Sequence, residues 1–329
     1  MNDERAGNRS SFIVHRSSLT APLLALTIIL IVAVALALLF GATSLVGPSA
    51  RLIILQIRLP RVLLAALVGA TLAVAGVTFQ TLLRNPLADP FILGVSGGAA
   101  CGAAVATAVG LWRFPGVVPI VAFAGACGAT AAVFLLARRR DHTDPTRLLL
   151  SGLVLNAFFS AVILISFSVS RQADLTAALR WMMGTLFGAT WTNVVLVAVL
   201  LALAMCVLAY VAGDLRLLAF GEDDAKSRGV DVERVKFAGF AAASIVTGAA
   251  VAVSGIIGFV GLLVPHLIRL MWRRDFRFLL PLCAIGGASL LVVSDLLSRV
   301  LIRATELPIG AFTAVLGVPF FLSLLRRER

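Results

Sequence analysis

The sequence predicts an all-α integral membrane protein of about ten transmembrane helices. Three observations lead there. Of the 329 residues, 60% are hydrophobic and only 13% are charged, too few charges to cover a water-soluble domain of this size. Apolar runs of around twenty residues recur along the chain, and a helix of that length crosses about 30 Å of hydrocarbon. The runs do not alternate polar and apolar residues, which excludes the strands of a membrane β-barrel.

Residues 1–19 read as a polar tail on the cytoplasmic side, and 20–329 as a single transmembrane domain. The first run, Thr20 to Phe40, is too long for an ordinary signal-peptide core, although Gly41-Ala42-Thr43 supplies small residues beyond it; it reads as a retained span. The runs lie near 20–40, 62–82, 92–110, 117–137, 148–169, 191–211, 235–254, 256–272, 278–301 and 309–325. The eighth is short and holds Pro265, which predicts a broken or tilted helix. Between the fifth and sixth, an amphipathic piece near 176–188 contains Arg180-Trp181-Met182-Met183. It reads as an interfacial or re-entrant helix, because aromatic residues favour the membrane–water boundary.

The formal net charge of +12 would suggest nucleic acid in a soluble protein. Here the arginines stand between apolar runs, where they fix topology and touch anionic lipid headgroups, so no nucleic-acid partner is expected. With the N-terminus inside, alternate segments divide the Lys and Arg residues 20 inside to 8 outside. That bias places both termini in the cytoplasm and supports an even number of spans. The longest polar stretch, 214–236, exceeds a plain connection. It has room for one or two short helices broken at Gly229 on the inner face, as a docking element for a soluble partner or as a solvated loop. Cys101, Cys127, Cys206 and Cys283 all sit in apolar stretches without short spacing, and read as packing residues rather than disulfide or metal ligands.

An internal repeat is visible. Gly69, Ala70, Ala73, Val74, Gly76, Leu83 and Pro86 recur as Gly248, Ala249, Ala252, Val253, Gly255, Leu262 and Pro265, at a constant offset of 179. The copies begin in the second and seventh spans, five apart, which implies an inverted-topology repeat of the kind found in transporters. Glycine and alanine at these positions suit close helix packing in lipid.

The chain contains no Gly-x-x-x-x-Gly-Lys-Ser/Thr phosphate loop, and its only lysines are Lys226 and Lys236, so it is not expected to bind or hydrolyse ATP. A secondary ion-coupled transporter would need intramembrane acids and bases. The candidates are Asp295, Arg299, Glu306 and His266; Asp295 and Arg299, four apart, share a helix face and would neutralise each other. His266 beside Pro265 reads as a packing histidine. Gly94-Val95-Ser96-Gly97 matches the Gly-x-Ser-Gly of rhomboid-like intramembrane serine proteases, with His266 as a conceivable base. A four-residue match in a glycine-rich chain is a weak signal.

Longer strings are more specific. Gln56-Ile57-Arg58-Leu59-Pro60-Arg61 precedes the second span. Arg84-Asn85-Pro86-Leu87-Ala88-Asp89-Pro90 and Leu93-Gly94-Val95-Ser96-Gly97-Gly98-Ala99 follow it. Later come Gly258-Phe259-Val260-Gly261-Leu262-Leu263-Val264-Pro265-His266-Leu267-Ile268-Arg269 and Glu306-Leu307-Pro308-Ile309-Gly310. From about Arg51 to the C-terminus this set resembles the FecCD permease family, whose members import ferric siderophores, haem or vitamin B12. The resemblance implies the permease fold of a type II ABC importer in the bacterial inner membrane. Its implied partners are a second permease copy, two ABC ATPase subunits that use ATP and Mg, and a periplasmic or lipid-anchored substrate-binding protein. No cofactor or metal is expected on this chain itself.

The resemblance also implies residue roles. Arg58, Arg61 and Arg299 match positions that meet acids of the binding protein, where opposite charge steers docking; from the residues alone they would read as headgroup contacts. Gly221, Ala225 and Gly229 match the segment that couples to the ATPases, with small residues four apart forming a narrow ridge. Pro145 and Thr146, ahead of Arg147-Leu148-Leu149-Leu150, fall at the cytoplasmic gate, although Pro145 departs from the small hydroxyl residue of a close family member. Asn156, Met182 and Met183 are the candidates for the translocation path. Among the cargoes, an iron chelate such as a ferric siderophore is expected because that branch of the family is the broadest.

Overall fold

Every one of the ten apolar runs is helical in the computed structural model, which describes residues 20–41, 50–114, 116–139, 142–272, 275–301 and 307–327. The polar tail, Arg303 and Glu306 lie outside the described residues. The spans are α1 (Thr20–Leu39), α3 (Leu59–Leu82), α4 (Val95–Ala108), α5 (Val117–Ala137), α6 (Pro145–Val169), α8 (Trp191–Tyr210), α11 (Val232–Ser254), α12 (Val260–Met271), α13 (Phe276–Val300) and α14 (Ile309–Arg327). A short α2 (Ala50–Leu52) and a π-helical turn over Ile53–Arg58 lead directly into α3. Seven of these helices, among the described residues, are long and apolar enough to cross a bilayer; α4, α12 and the described part of α14 are shorter.

The bundle is built around α3 and α11, which are buried along most of their length. α13 packs along α3, and α1 lies outside against α13. The outer helices turn large apolar side chains outward, including Leu24, Ile31, Leu135, Phe158 and Val199, an arrangement that suits lipid and not water. The repeated glycines let neighbouring segments approach the two central helices closely. A β-carbon at Gly69 would collide with the Gly287 carbonyl, and one at Gly76 with the Gly261 carbonyl. Of their counterparts, Gly255 abuts the Trp181 carbonyl as closely, while Gly248 is less confined, facing Ala126 Cβ at 2.9 Å.

The interruptions have local causes. Between α3 and α4, Asn85 and Asp89 each close a turn on their own backbone: Leu87 N–H donates to Asn85 Oδ1 at 2.9 Å, and Phe91 N–H to Asp89 Oδ1 at 2.8 Å. The eighth span is not broken at Pro265, which sits inside a continuous α12. The interruption lies between the seventh and eighth spans, where α11 ends at Ser254 and α12 starts only after Phe259, whose φ of +67° is a left-handed conformation rare for an aromatic residue. The amphipathic piece begins earlier than the sequence suggests, as α7 (Gln172–Met182). Its irregular continuation is tied into the bundle by backbone bonds. Thr185 N–H donates to Ser254 O, Ile309 N–H to Gly184 O and Gly310 N–H to Met183 O.

The long polar stretch holds two short helices, α9 (Ala212–Leu218) and α10 (Glu222–Ser227), and Gly229 at φ +81° ends the second, as expected. A two-residue hairpin, β1 (Arg138–Arg139) with β2 (His142–Thr143), connects α5 to α6.

Candidate translocation and coupling sites

Charged side chains collect at the two ends of the bundle. α3 separates them by about 20 residues, roughly 30 Å at 1.5 Å per residue, close to the thickness of the hydrocarbon layer.

At the end richer in Lys and Arg, a groove of about 1040 Å³ lies between the start of α6 and the start of α10. Pro145 and Thr146 form one side of it, Gly221 and Asp224 the other. Asp144 caps α6 by accepting from Thr146 N–H at 2.8 Å, and Pro145 occupies the first helical turn, where its missing N–H costs nothing. Both gate candidates and one of the three coupling candidates, Gly221, therefore line one groove, while Ala225 and Gly229 are not part of its lining. Ala225 does not present the ridge expected of it: its exposure is 0%, and it packs into the core. The outward face of α10 belongs instead to Asp223, Asp224, Lys226 and Ser227. Alanine is small enough to seat a short helix as well as to expose it, so spacing alone does not reveal which way it points.

Beneath this groove sits an ion cluster that sequence reasoning missed. Lys236, 4% exposed at the start of α11, lies 2.9 Å from Glu222 and 3.1 Å from Glu233. Its Nζ also donates to Thr143 O at 2.7 Å. The available signal was that one of only two lysines in the chain opens an apolar span.

A second cavity, of about 660 Å³, opens where the α3–α4 loop, α7, α12 and α14 meet. Met182 and Met183 line it, with Phe91, Ile92, Phe259 and Ala314. Asn156 is not in its wall but braces it: Nδ2 donates to Phe91 O at 2.8 Å. Asp89, in the α3–α4 loop, is a carboxylate in this otherwise apolar wall. Burial pushes its pKa up to about 6, against the opposing pull of its Phe91 N–H bond. Thus two of the three path candidates line the cavity, and the third holds its shape.

At the opposite end, the arginines expected to face a partner are turned inward. Arg58, Arg61 and Arg299 are 4%, 8% and 5% exposed. Arg61 Nε stands 2.9 Å from Asp295 Oδ1, and Arg299 Nε 3.0 Å from Asp295 Oδ2. Arg58 donates to Leu38 O and Leu39 O at 2.7 and 2.9 Å, and Arg299 to Ala37 O at 3.4 Å. Those are orphan carbonyls in the last turn of α1, which guanidinium groups satisfy well. The physical reason for the inward turn of Arg61 and Arg299 is Asp295, a buried carboxylate that needs cations; for Arg58 it is the α1 carbonyls.

The same geometry speaks to the competing readings. Asp295 is held between two arginines, as the four-residue spacing from Arg299 implied. His266 packs edge-on against Phe320, with ring centroids 6.3 Å apart. Ser96 is buried and its Oγ has no hydrogen-bond partner among the described residues, so it lacks the paired base that a serine nucleophile requires.

Comparison with known proteins agrees with this architecture. The chain is 44% identical over 282 residues to the cobalamin import system permease protein BtuC of Halobacterium salinarum, covering 85% of this chain and 75% of that protein. It is 43% identical over 286 residues to the hemin transport system permease protein HmuU of Yersinia pestis, covering 84% and 83%. Its structure matches that of a protein described as a metal-chelate type ABC transporter in an inward-facing conformation. There the TM-score is 0.84 at 31% identity, covering 94% of this chain and 99% of the other. The profile of the FecCD transport family matches residues 18–327, and the chain belongs to that family.

Proposed function

We propose that the chain is the permease subunit of an ATP-driven ABC importer that carries a metal chelate into the cytoplasm. The observation that carries this reading is the groove at the basic end, where the coupling segment and the start of α6 line one surface. A soluble ATPase seated on α10 would there act directly on the gate. ATP and Mg belong to that partner, because this chain has no phosphate loop. The 20-to-8 distribution of Lys and Arg supports an orientation with the groove and both termini on the cytoplasmic side.

Two copies would enclose the path, with Met182, Met183 and the Asp89 loop forming its wall on each side. The relatives named for cobalamin and hemin favour a large tetrapyrrole-type metal complex over a ferric siderophore as cargo. Apolar, thioether-bearing walls suit such a ligand, since a flexible Met surface adapts to shape without fixing it. Selection then falls to a binding protein delivering cargo at the opposite end. Arg58, Arg61 and Arg299 serve that end by holding α1, α3 and α13 together beneath the docking face, in place of pairing directly with the partner's acids.

Reconstitution with the ATPase and binding protein tests the proposal. Uptake that requires both, and ATP, is the expected result. Uptake driven by a proton or sodium gradient alone would replace it with secondary transport.

A further inference from the structure

The Lys236 cluster joins three elements that are far apart in sequence, and each is one the proposed function needs. Glu222 is the first residue of α10, and its side chain is largely buried. Glu233 and Lys236 lie in the first turns of α11. Thr143, fully buried, stands two residues ahead of Pro145, where α6 begins. The Lys236 ammonium contacts Glu222, Glu233 and the Thr143 carbonyl together, at 2.9, 3.1 and 2.7 Å. Glu233 completes the connection by accepting from Thr143 N–H at 3.1 Å and Thr143 Oγ1 at 2.6 Å.

Other charged groups surround it without displacing it. His142 Nδ1 lies 3.7 Å from Glu222 and 3.6 Å from Glu233, and an Arg84 nitrogen lies 3.9 Å from Glu222. The ligating atoms of His142, Glu222 and Glu233 are close enough to suit a metal ion, but the ammonium of Lys236 already bridges the two carboxylates, and the Arg84 guanidinium adds a second positive charge near Glu222.

A six-residue helix has few internal hydrogen bonds and little stability of its own. The orientation of α10 therefore follows from what holds it: Glu222 on Lys236, and Ala225 in the core. A buried ammonium in turn cannot give up its anions without a large desolvation penalty. A load on the exposed face of α10 thus moves Glu222 and Lys236 together, and Thr143 with them.

We propose that Lys236 is the positioning residue that transmits movement of α10 to the start of α6, linking the ATPase-facing helix to the gate. This rests on the importer reading above. The test uses the complete complex of permease, ATPase and binding protein in proteoliposomes, with cyanocobalamin and haemin as the probes. Uptake and ATP hydrolysis are measured together, and the readout is their ratio. Lys236→Met should lower uptake per ATP hydrolysed about fivefold or more, the scale of a lost coupling interaction. Leu218→Ala, a cavity in the nearby core of α9, should reduce the yield of complex while leaving that ratio intact, as any purely structural defect would. Should Lys236→Met fail to fold, Glu222→Ala removes the carboxylate from the same link and is judged by the same ratio. Uptake and hydrolysis falling by one common factor in these variants would overturn the linkage alone. Absence of ATP-dependent uptake in the wild-type complex would overturn the importer reading, and the linkage with it.

Discussion

Arg61 and Asp295, 234 residues apart in sequence, meet at 2.9 Å inside the bundle and clamp α3 to α13. Arg299 reaches the other carboxylate oxygen from one turn along α13. Removing the shared anion takes a charge partner from two buried guanidinium groups, and breaking such a buried pair typically costs about 3–5 kcal/mol. Asp295→Leu is therefore expected to lower the thermal midpoint of the detergent-solubilised permease sharply. Arg61→Glu should do the same by placing two carboxylates together. If Arg61→Glu kept the wild-type midpoint and lost only binding-protein-stimulated ATP hydrolysis, Arg61 would be a docking residue after all.

The seating of α10 gives a second test. Ala225→Trp forces an indole into a site with no exposed surface, so it should destabilise the permease itself as well as abolish ATPase association. Asp223→Arg with Asp224→Arg changes only the outward face, where substitutions usually stay within about 0.5 kcal/mol. That double variant should retain the wild-type midpoint and still lose ATPase co-purification. Equal behaviour of the two variants in both assays would contradict the assignment of faces.

These two cases mark where the sequence was and was not legible. The helices were legible because burial in lipid demands long unbroken apolar runs, and the run boundaries agree with the helix ends to a few residues. The two short helices and the stop at Gly229 were legible for local reasons, length and glycine. The direction of a side chain was not. Arg61 reads as a surface charge until a carboxylate 234 residues away is known to face it, and Ala225 suits either side of a helix. The start of α7 and the left-handed Phe259 were hidden too; Phe259 packs against Gly317 of α14, a contact that no local pattern announces.

Helix spacing at the repeat glycines is sensitive to a single methyl group. Gly76→Ala should push α3 and α12 apart at the Gly261 carbonyl, with an overpacking cost of about 1–3 kcal/mol. Gly128→Ala is the matched control, since a β-carbon there meets nothing within 4 Å. Thermal midpoints in detergent should fall for the first and hold for the second.

Asp89 should make stability depend on pH. Its pKa rises from 3.8 to about 6 on folding, so the folded protein binds the proton more tightly than the unfolded chain. Stability is then full below about pH 4 and is lost as pH rises through 6, by about 3 kcal/mol at most. Asp89→Asn keeps an acceptor for Phe91 N–H and removes the titration. The variant should show a flattened profile between pH 4 and 6 and a higher midpoint at pH 7. An unchanged slope would place the titrating group elsewhere.

Transport driven by a partner's ATP hydrolysis is measured as uptake of cyanocobalamin and haemin into proteoliposomes holding this permease. Accumulation of at least one probe is expected only when the ATPase subunit, the binding protein and ATP are all supplied. Accumulation on a proton or sodium gradient without ATP would contradict it.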